Sequence, residues 1–379
     1  MLKKNNFITI LLSLTLIIVI FFFHNYFNKK KQSRLINCYN ITNNQCNITN
    51  NFTTIDNNIL KIKISNIGGL INELQLKNYK AYNIINDKYD KNLFLIKNCS
   101  SIHYLINKNF NTRFLIFNPT IINIKNGKKL ILITKLNDKI IKFIYTIYND
   151  KYHIDFSIKI ENFFQKNKNI IFNWNQKIFS LEKEKKMEYN YSKLFYYLNN
   201  KLHPLNKEKL INNCNWIANK QQFFTSILKL NKNYNFLLKS IQNKNYKINQ
   251  YLKEFKTRVF IHKEKNNNDL NFNIRLYFLP LDLKILNSIN TQFEKIIPFG
   301  WGIIRYLNIY FFAKIFFLLE KTKLNYGLII ILMTTIVKII LFPLFYKQYK
   351  TNIIMNLIYP KIKEIKKQFK NIDPKIKNK

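Results

Sequence analysis

The sequence predicts a membrane protein made of an N-terminal transmembrane anchor, an extracytoplasmic all-β (β-sandwich-like) domain, an interfacial helix and a transmembrane helix. Three observations carry this. Two apolar runs, Phe7–Phe23 and Gly327–Phe345, are near the length that crosses a bilayer. Between them, from about Ile59 to Pro280, apolar and polar residues alternate at period two. Beyond Phe345 the chain is crowded with lysine, which favours the cytoplasmic side for that end.

Phe7–Phe23 follows Lys3 and Lys4. A cleavable signal peptide and an uncleaved anchor share this pattern. No small-x-small cleavage site follows, and His24, Asn25, Tyr26, Phe27 and the Lys29–Lys31 cluster come next, so an anchor over 1–28 is expected. Residues 29–58 are polar and Asn-rich and read as a flexible tether. Cys38, Cys46, Cys99 and Cys214 form no CxxC pair and no metal-site spacing, so unpaired thiols and no cofactor are expected, although Cys38 and Cys46 lie close enough in sequence for a local disulfide.

Residues 59–297 are expected to be the β-domain. Leu60-Lys-Ile-Lys-Ile-Ser sets alternate apolar side chains on one face, and Gly68-Gly69 marks the turn after it. Similar patterns recur at Lys129–Lys135, Lys139–Tyr148, His153–Glu161, Asn169–Trp174, Phe223–Leu230 and Asn271–Phe278. Many short strands between Asn, Asp, Lys and Gly breaks indicate a sandwich. Leu281–Phe293 has roughly helical spacing and leads back towards the membrane.

Residues 298–322 contain the apolar run Ile303–Leu319, which also carries Arg305, Asn308 and Lys314. With both chain ends inside, the number of crossings must be even. The two spans are then Phe7–Phe23 and the helix over 326–346, and Ile303–Leu319 lies along the outer surface as an interfacial helix. Residues 347–379 begin a basic cytoplasmic helical region interrupted at Pro360, with Ile362, Ile365 and Phe369 as an apolar stripe.

Lys338 stands alone among the thirteen Leu, Ile, Val and Phe residues of Gly327–Phe345. A mid-span cation costs about 2.5–3.5 kcal/mol on insertion scales, while the apolar residues return about 0.3–0.6 kcal/mol each, so the segment still inserts. Two readings stand side by side: a functional cation held in the membrane, or a long side chain snorkelling towards the cytoplasmic surface. Thr334 is four residues before Lys338 and shares its helical face.

The net charge of +42 comes from 62 Lys and Arg against 20 Asp and Glu. Lys, Asn, Ile, Phe and Tyr have AT-rich codons, as in small-genome bacterial endosymbionts, so much of the excess reads as mutational bias. It is spread along the chain without an RNA-binding fingerprint, so no nucleic-acid function is assigned. Pairs such as Glu182/Glu184 and Asp87/Asp90 read as solvated loop charge. No nucleophile–base pair or phosphate loop stands out, and the chain is not expected to be an enzyme.

Taken together, the residues resemble the YidC-type membrane protein insertases of Gram-negative bacteria. The span motif of that family is matched by Ile336-Val337-Lys338, Pro343-Leu344, Gln348-Tyr349 and Pro360-Lys361-Ile362. Ile62–Gly69 with Leu74, Trp216–Thr225 and Gly300-Trp301 are similar to the family's first strand, its W-x-x-x-x-Q-Q-Y-F-x-T stretch and its approach to the amphipathic helix. The resemblance implies an insertase and membrane chaperone of the bacterial inner membrane, with the N-terminus cytoplasmic and the β-domain periplasmic. It implies a substrate-binding intramembrane groove with Lys338, Thr334 and Thr335 on its wall. Nascent membrane proteins and the lipid bilayer are the implied partners, with the Sec translocase and the ribosome as further candidates. The family cation is usually Arg, whose planar fork Lys lacks. The family core has five spans, and the expectation is that this chain carries the first of them and is shortened after it. The alternative is a membrane-anchored periplasmic β-domain acting as a binding or scaffold partner of a translocase, or a non-functional truncated product.

Overall fold

A computed structural model of the chain describes residues 52–83, 85–98, 100–107, 110–163, 170–230, 234–243, 251–261, 269–289 and 292–368. The expected anchor, most of the expected tether, and Cys38, Cys46 and Cys99 lie outside the described residues. The chain divides into two units, one ending at Ile297 and one starting at Pro298.

Within the first unit, the described residues form three antiparallel sheets. The first contains β1 (Phe52–Asp56), β2 (Leu60–Ser65), β3 (Ile71–Asn83) and β4 (Lys88–Ile96), in that order. Of the 29–58 stretch expected as a tether, residues 52–58 belong instead to the β-domain. The reason is local. Ile55 is buried in β1, and Asn57 turns the chain by accepting from the amides of Ile59 at 2.9 Å and Leu60 at 2.6 Å. Lys77 at 2.9 Å and Lys128 at 2.6 Å both pair with Asp56, and their hydrogen bonds hold its carboxyl at about 2.

A six-stranded sheet contains β5 (Ser101–Asn107), β6 (Phe110–Asn111), β11 (Ile170–Phe179), β14 (Lys209–Asn212), β17 (Asn235–Gln242) and β18 (Tyr251–Ile261). Their spatial order is β14-β17-β18-β11-β5-β6. A nine-stranded sheet takes β7 (Asn118–Ile124), β8 (Gly127–Leu136), β9 (Lys139–Tyr148), β10 (His153–Glu161) and β12 (Lys193–Leu198). It also takes β13 (Lys201–Pro204), β15 (Trp216–Lys220), β16 (Phe224–Leu230) and β19 (Leu270–Pro280). The order there is β13-β12-β15-β16-β19-β10-β9-β8-β7.

The alternation seen in the sequence is the alternation of burial. Ile141, Phe143, Tyr145 and Ile147 of β9 and Ile154, Phe156, Ile158 and Ile160 of β10 all point into one continuous core shared by the three sheets. Each such side chain contributes about 1.5–3 kcal/mol by leaving water. Gly69 has a φ of +63°, and a Cβ there would stand 2.7 Å from the Phe143 ring, so both backbone and space require glycine. Cys214 is a free, buried thiol, and burial raises it to about 11.

A second apolar cluster lies elsewhere on the nine-stranded sheet, built from Tyr197, Trp216, Ala218, Ile227, Tyr277 and Leu279. It is covered by α2 (Leu283–Ser288) and the 3₁₀ turn Phe293–Ile296, through Leu286, Phe293 and Ile296. Asp282 caps α2 by accepting from the amides of Lys284 and Ile285. The helical spacing expected over Leu281–Phe293 is thus a short helix and a 3₁₀ turn. A further helix, α1 (Lys185–Tyr191), precedes β12.

The second unit is helical. α3 (Gly302–Leu307), a π turn at Asn308–Phe312 and α4 (Ala313–Glu320) follow one another without a break. Then α5 runs from Tyr326 to Gln368 as one helix of 43 residues, with Pro343 and Pro360 inside it. The interruption expected at Pro360 is absent, and the segments expected as 326–346 and 347–379 are one helix as far as residue 368. Each proline forgoes a single hydrogen bond, to the carbonyls of Ile339 and Asn356, while the turns on either side continue.

Candidate functional site

The polar residues of the apolar part of α5 fall within one turn. Thr334 and Thr335 donate their hydroxyls back to the Ile331 carbonyl at 2.7 and 2.9 Å, so neither needs a partner off the helix as donor. Each hydroxyl oxygen keeps acceptor capacity. Lys338 follows at i+4 and i+3 and shares their face. It is exposed, and among the described residues no carboxylate pairs with it. The structure therefore brings all three sequence-predicted residues together.

Around them the helix is apolar on nearly every side. Leu328, Ile330, Ile331, Ile339, Ile340, Phe342, Leu344 and Phe345 are exposed, and only Ile329 is buried. A helix that is apolar all round suits a lipid surrounding. The α4–α5 connection is fixed locally: Phe316 stacks on Tyr326, with ring centroids 6.3 Å apart, and the Asn325 side chain accepts from the Gly327 amide at 3.1 Å.

The π turn at Asn308–Phe312 was not legible in the sequence beyond a lone Asn in an apolar run. Asn308 donates to the Phe299 carbonyl at 2.8 Å, fastening the start of the helix to the turn before it. Gly300, at φ +92°, makes that turn, and Trp301 is left fully in the open at 83 % exposure. Single π turns inside helices commonly accompany functional positions.

In the β-domain, Trp216–Thr225 is structural. Every residue of β15 is buried, and the Gln221 amide closes the following turn on the Phe224 carbonyl at 2.8 Å. Asn219 donates to Gln176 at 2.9 Å, and Gln176 donates to Ser226 at 3.1 Å, joining the two larger sheets through a buried polar chain. The carboxylate pairs expected as loop charge lie at the surface in ordinary contacts. Asp87 accepts from Lys183 at 2.7 Å and from Tyr82, Asp90 from Asn86 at 2.7 Å, and Glu182 from Tyr89 at 2.9 Å, all on exposed surface.

A large extramembranous β-domain followed by helices 302–320 and 326–366, both long and apolar enough to cross a membrane, defines the class: a membrane protein with a soluble-type β-domain. The family described as the YidC periplasmic domain matches residues 53–319, and that described as the 60Kd inner membrane protein matches 317–379; the chain belongs to the YidC family. It is 29 % identical over 330 residues to the membrane protein insertase YidC of Azobacteroides pseudotrichonymphae, covering 81 % of this chain and 52 % of that one. It is 29 % identical over 340 residues to the same-named protein of Parabacteroides distasonis, covering 83 % and 52 %. The chain spans about half the length of the curated relatives it matches. A crystal structure of an active YidC insertase with its first transmembrane domain resolved shares 15 % identity, with 87 % of this chain and 64 % of that one covered and a TM-score of 0.34.

Proposed function

We propose that the chain serves membrane protein insertion in the bacterial inner membrane, and that Lys338, Thr334 and Thr335 are the polar wall of a water-containing groove that receives the client. The observation that carries this is the placing of an ammonium without a carboxylate partner among the described residues, and two threonines, within about one turn of the otherwise apolar stretch of α5. An ionisable side chain kept inside a span is expensive and marks function. Held there, it draws water into the inner leaflet, so polar stretches of a nascent protein enter without full desolvation. The client's apolar segment then leaves sideways into lipid, where burial drives it. No bond is made or broken.

In this reading the N-terminus is cytoplasmic and the β-domain periplasmic. Gly302–Glu320, which carries Arg305 and Lys314, lies along the outer surface, and α5 crosses with its lysine-rich end in the cytoplasm. Nascent membrane proteins are the clients, and the Sec translocase and the ribosome are the proposed neighbours.

The test is insertion of a defined client into proteoliposomes carrying the chain, or into membranes depleted of the resident insertase. Lys338→Leu is expected to lower insertion at least several-fold, while Lys338→Arg keeps it near the starting level. Equal insertion by the Leu variant and the parent chain removes the groove from the account.

A further inference from the structure

Three lysines meet where α1 abuts the ends of two sheets. Lys193 on β12 and Lys220 on β15 are direct cross-strand partners. Such partners have Cα atoms about 4.5–5.5 Å apart, and like charges placed opposite one another destabilise a sheet. Lys253, on β18 of the other sheet, reaches the same place and donates to the Ser192 carbonyl at 2.7 Å. Lys220 and Lys253 are only 4 % and 8 % exposed, while Lys193 is open to water.

No ion pair among the described residues joins an acid to any of the three. Among the described residues Lys220 donates no hydrogen bond and meets no carboxylate; its ammonium lies over the Tyr191 ring at 5.5 Å. Lys253 lies over the Tyr189 ring at 4.4 Å. The acids nearest in sequence are committed elsewhere: Glu188 accepts from the Ser180 hydroxyl at 2.8 Å and from the amides of Leu181 and Glu182, and Glu254, next to Lys253, pairs with Lys256 at 3.6 Å. Burial first, and the charge of Lys193 second, push both Lys220 and Lys253 down to about 8. The Lys220 side chain is largely buried while its ammonium, donating no hydrogen bond within the protein and standing beside a second cation, keeps an opening to solvent through which an anion can reach it.

We propose that Lys193, Lys220 and Lys253 form a binding site on the β-domain for a small oxyanion of carboxylate or phosphate type, walled by Tyr189 and Tyr191. The anion takes the donors that Lys220 leaves unused and removes the repulsion across the β12–β15 pair. Lys193 is the gate residue, since it alone of the three is exposed.

The test is the unfolding temperature of the full chain in detergent, followed by tryptophan fluorescence. It is measured in sodium phosphate, sodium acetate and sodium chloride at equal ionic strength. A rise of a few degrees in phosphate or acetate over chloride is expected, and the stronger of the two tells a tetrahedral from a planar ligand. Phosphate also stabilises proteins generally by exclusion from their surfaces, so the variants decide. The rise should vanish in Lys220→Met and shrink in Lys193→Gln, whose exposed position leaves folding intact. Identical unfolding temperatures in all three salts overturn the site. So does a rise that is undiminished in Lys193→Gln.

Discussion

The Tyr145 hydroxyl stands 2.5 Å from His103 Nε2 and donates its own proton to the Gly69 carbonyl at 2.6 Å, deep in the β-domain core. The order of donors follows from this. Tyr145 has one proton and spends it on Gly69, so the imidazole donates from Nε2. The ring sits edge-on to Phe156, with centroids 5.3 Å apart, and the group ties β5, β9 and the Gly68-Gly69 turn together.

Removing that hydroxyl leaves a buried donor and a buried acceptor unmatched. Tyr145→Phe is expected to lower stability by about 1–3 kcal/mol. The shift of the urea midpoint at unchanged slope measures it, and an unchanged midpoint means that water replaces the hydroxyl.

The same histidine makes stability depend on pH. Burial holds His103 at about 4, against an ordinary value of 6.5. The unfolded chain therefore binds a proton that the folded one refuses. The stability is complete above pH 6.5 and is lost as pH falls towards 4, by about 3 kcal/mol at about 1.4 kcal/mol per pH unit. His153, also held at about 4 chiefly by burial, adds in the same direction. The Asp56 contribution is lost only lower, as pH falls from 3.8 towards 2. Glu188 works against the histidines, since burial raises its carboxyl to about 7 and the folded chain gains stability as pH falls through that value. Denaturation midpoints between pH 7 and 4.5 should still fall in the parent chain, and fall less in His103→Gln.

Trp216 stacks on Tyr197 with centroids 4.9 Å apart and planes 5° from parallel, and Phe293 meets its edge at 5.2 Å. Trp216→Ala is expected to cost about 3–5 kcal/mol and to free the Phe293–Ile296 turn first. Amide exchange in 293–296 should speed up before exchange in β9 and β10. Uniform loss of protection contradicts a local role.

The groove proposed at Lys338 predicts wetness. A cysteine at 338, and one at 334, should react with a membrane-impermeant thiol reagent from the cytoplasmic side, whereas one at Ile340 should not. Equal protection at all three positions contradicts water at that depth.

Much of the β-domain was legible because half-buried strands write their burial as alternation. Lys139–Tyr148 and His153–Glu161 were bounded to the residue, since Asn, Asp and Lys breaks flank them. Tyr251–Ile261 escaped because Lys253 occupies an inward position, where a charge breaks the expected pattern. Ile71–Asn83 escaped because its second half, KNYKAYN, mixes Lys and Asn with its apolar residues. Pro360 misled because a proline that forgoes one hydrogen bond need not end a helix whose other turns are sound. At Lys338 the sequence showed both the residue and its threonine neighbours, since i−3 and i−4 spacing defines a face. The lysine cluster was invisible, because β12, β15 and β18 meet only in the fold.

One consequence of the unbroken α5 is mechanical. Lys338 and Gln368 ride on a single rod about 45 Å apart at 1.5 Å per residue. A sideways push at the far tip travels along that lever and reaches the ammonium as a change in its inclination. Pro343, five residues beyond Lys338, is the nearer of the two places where the rod has surrendered a strut, Pro360 being the other.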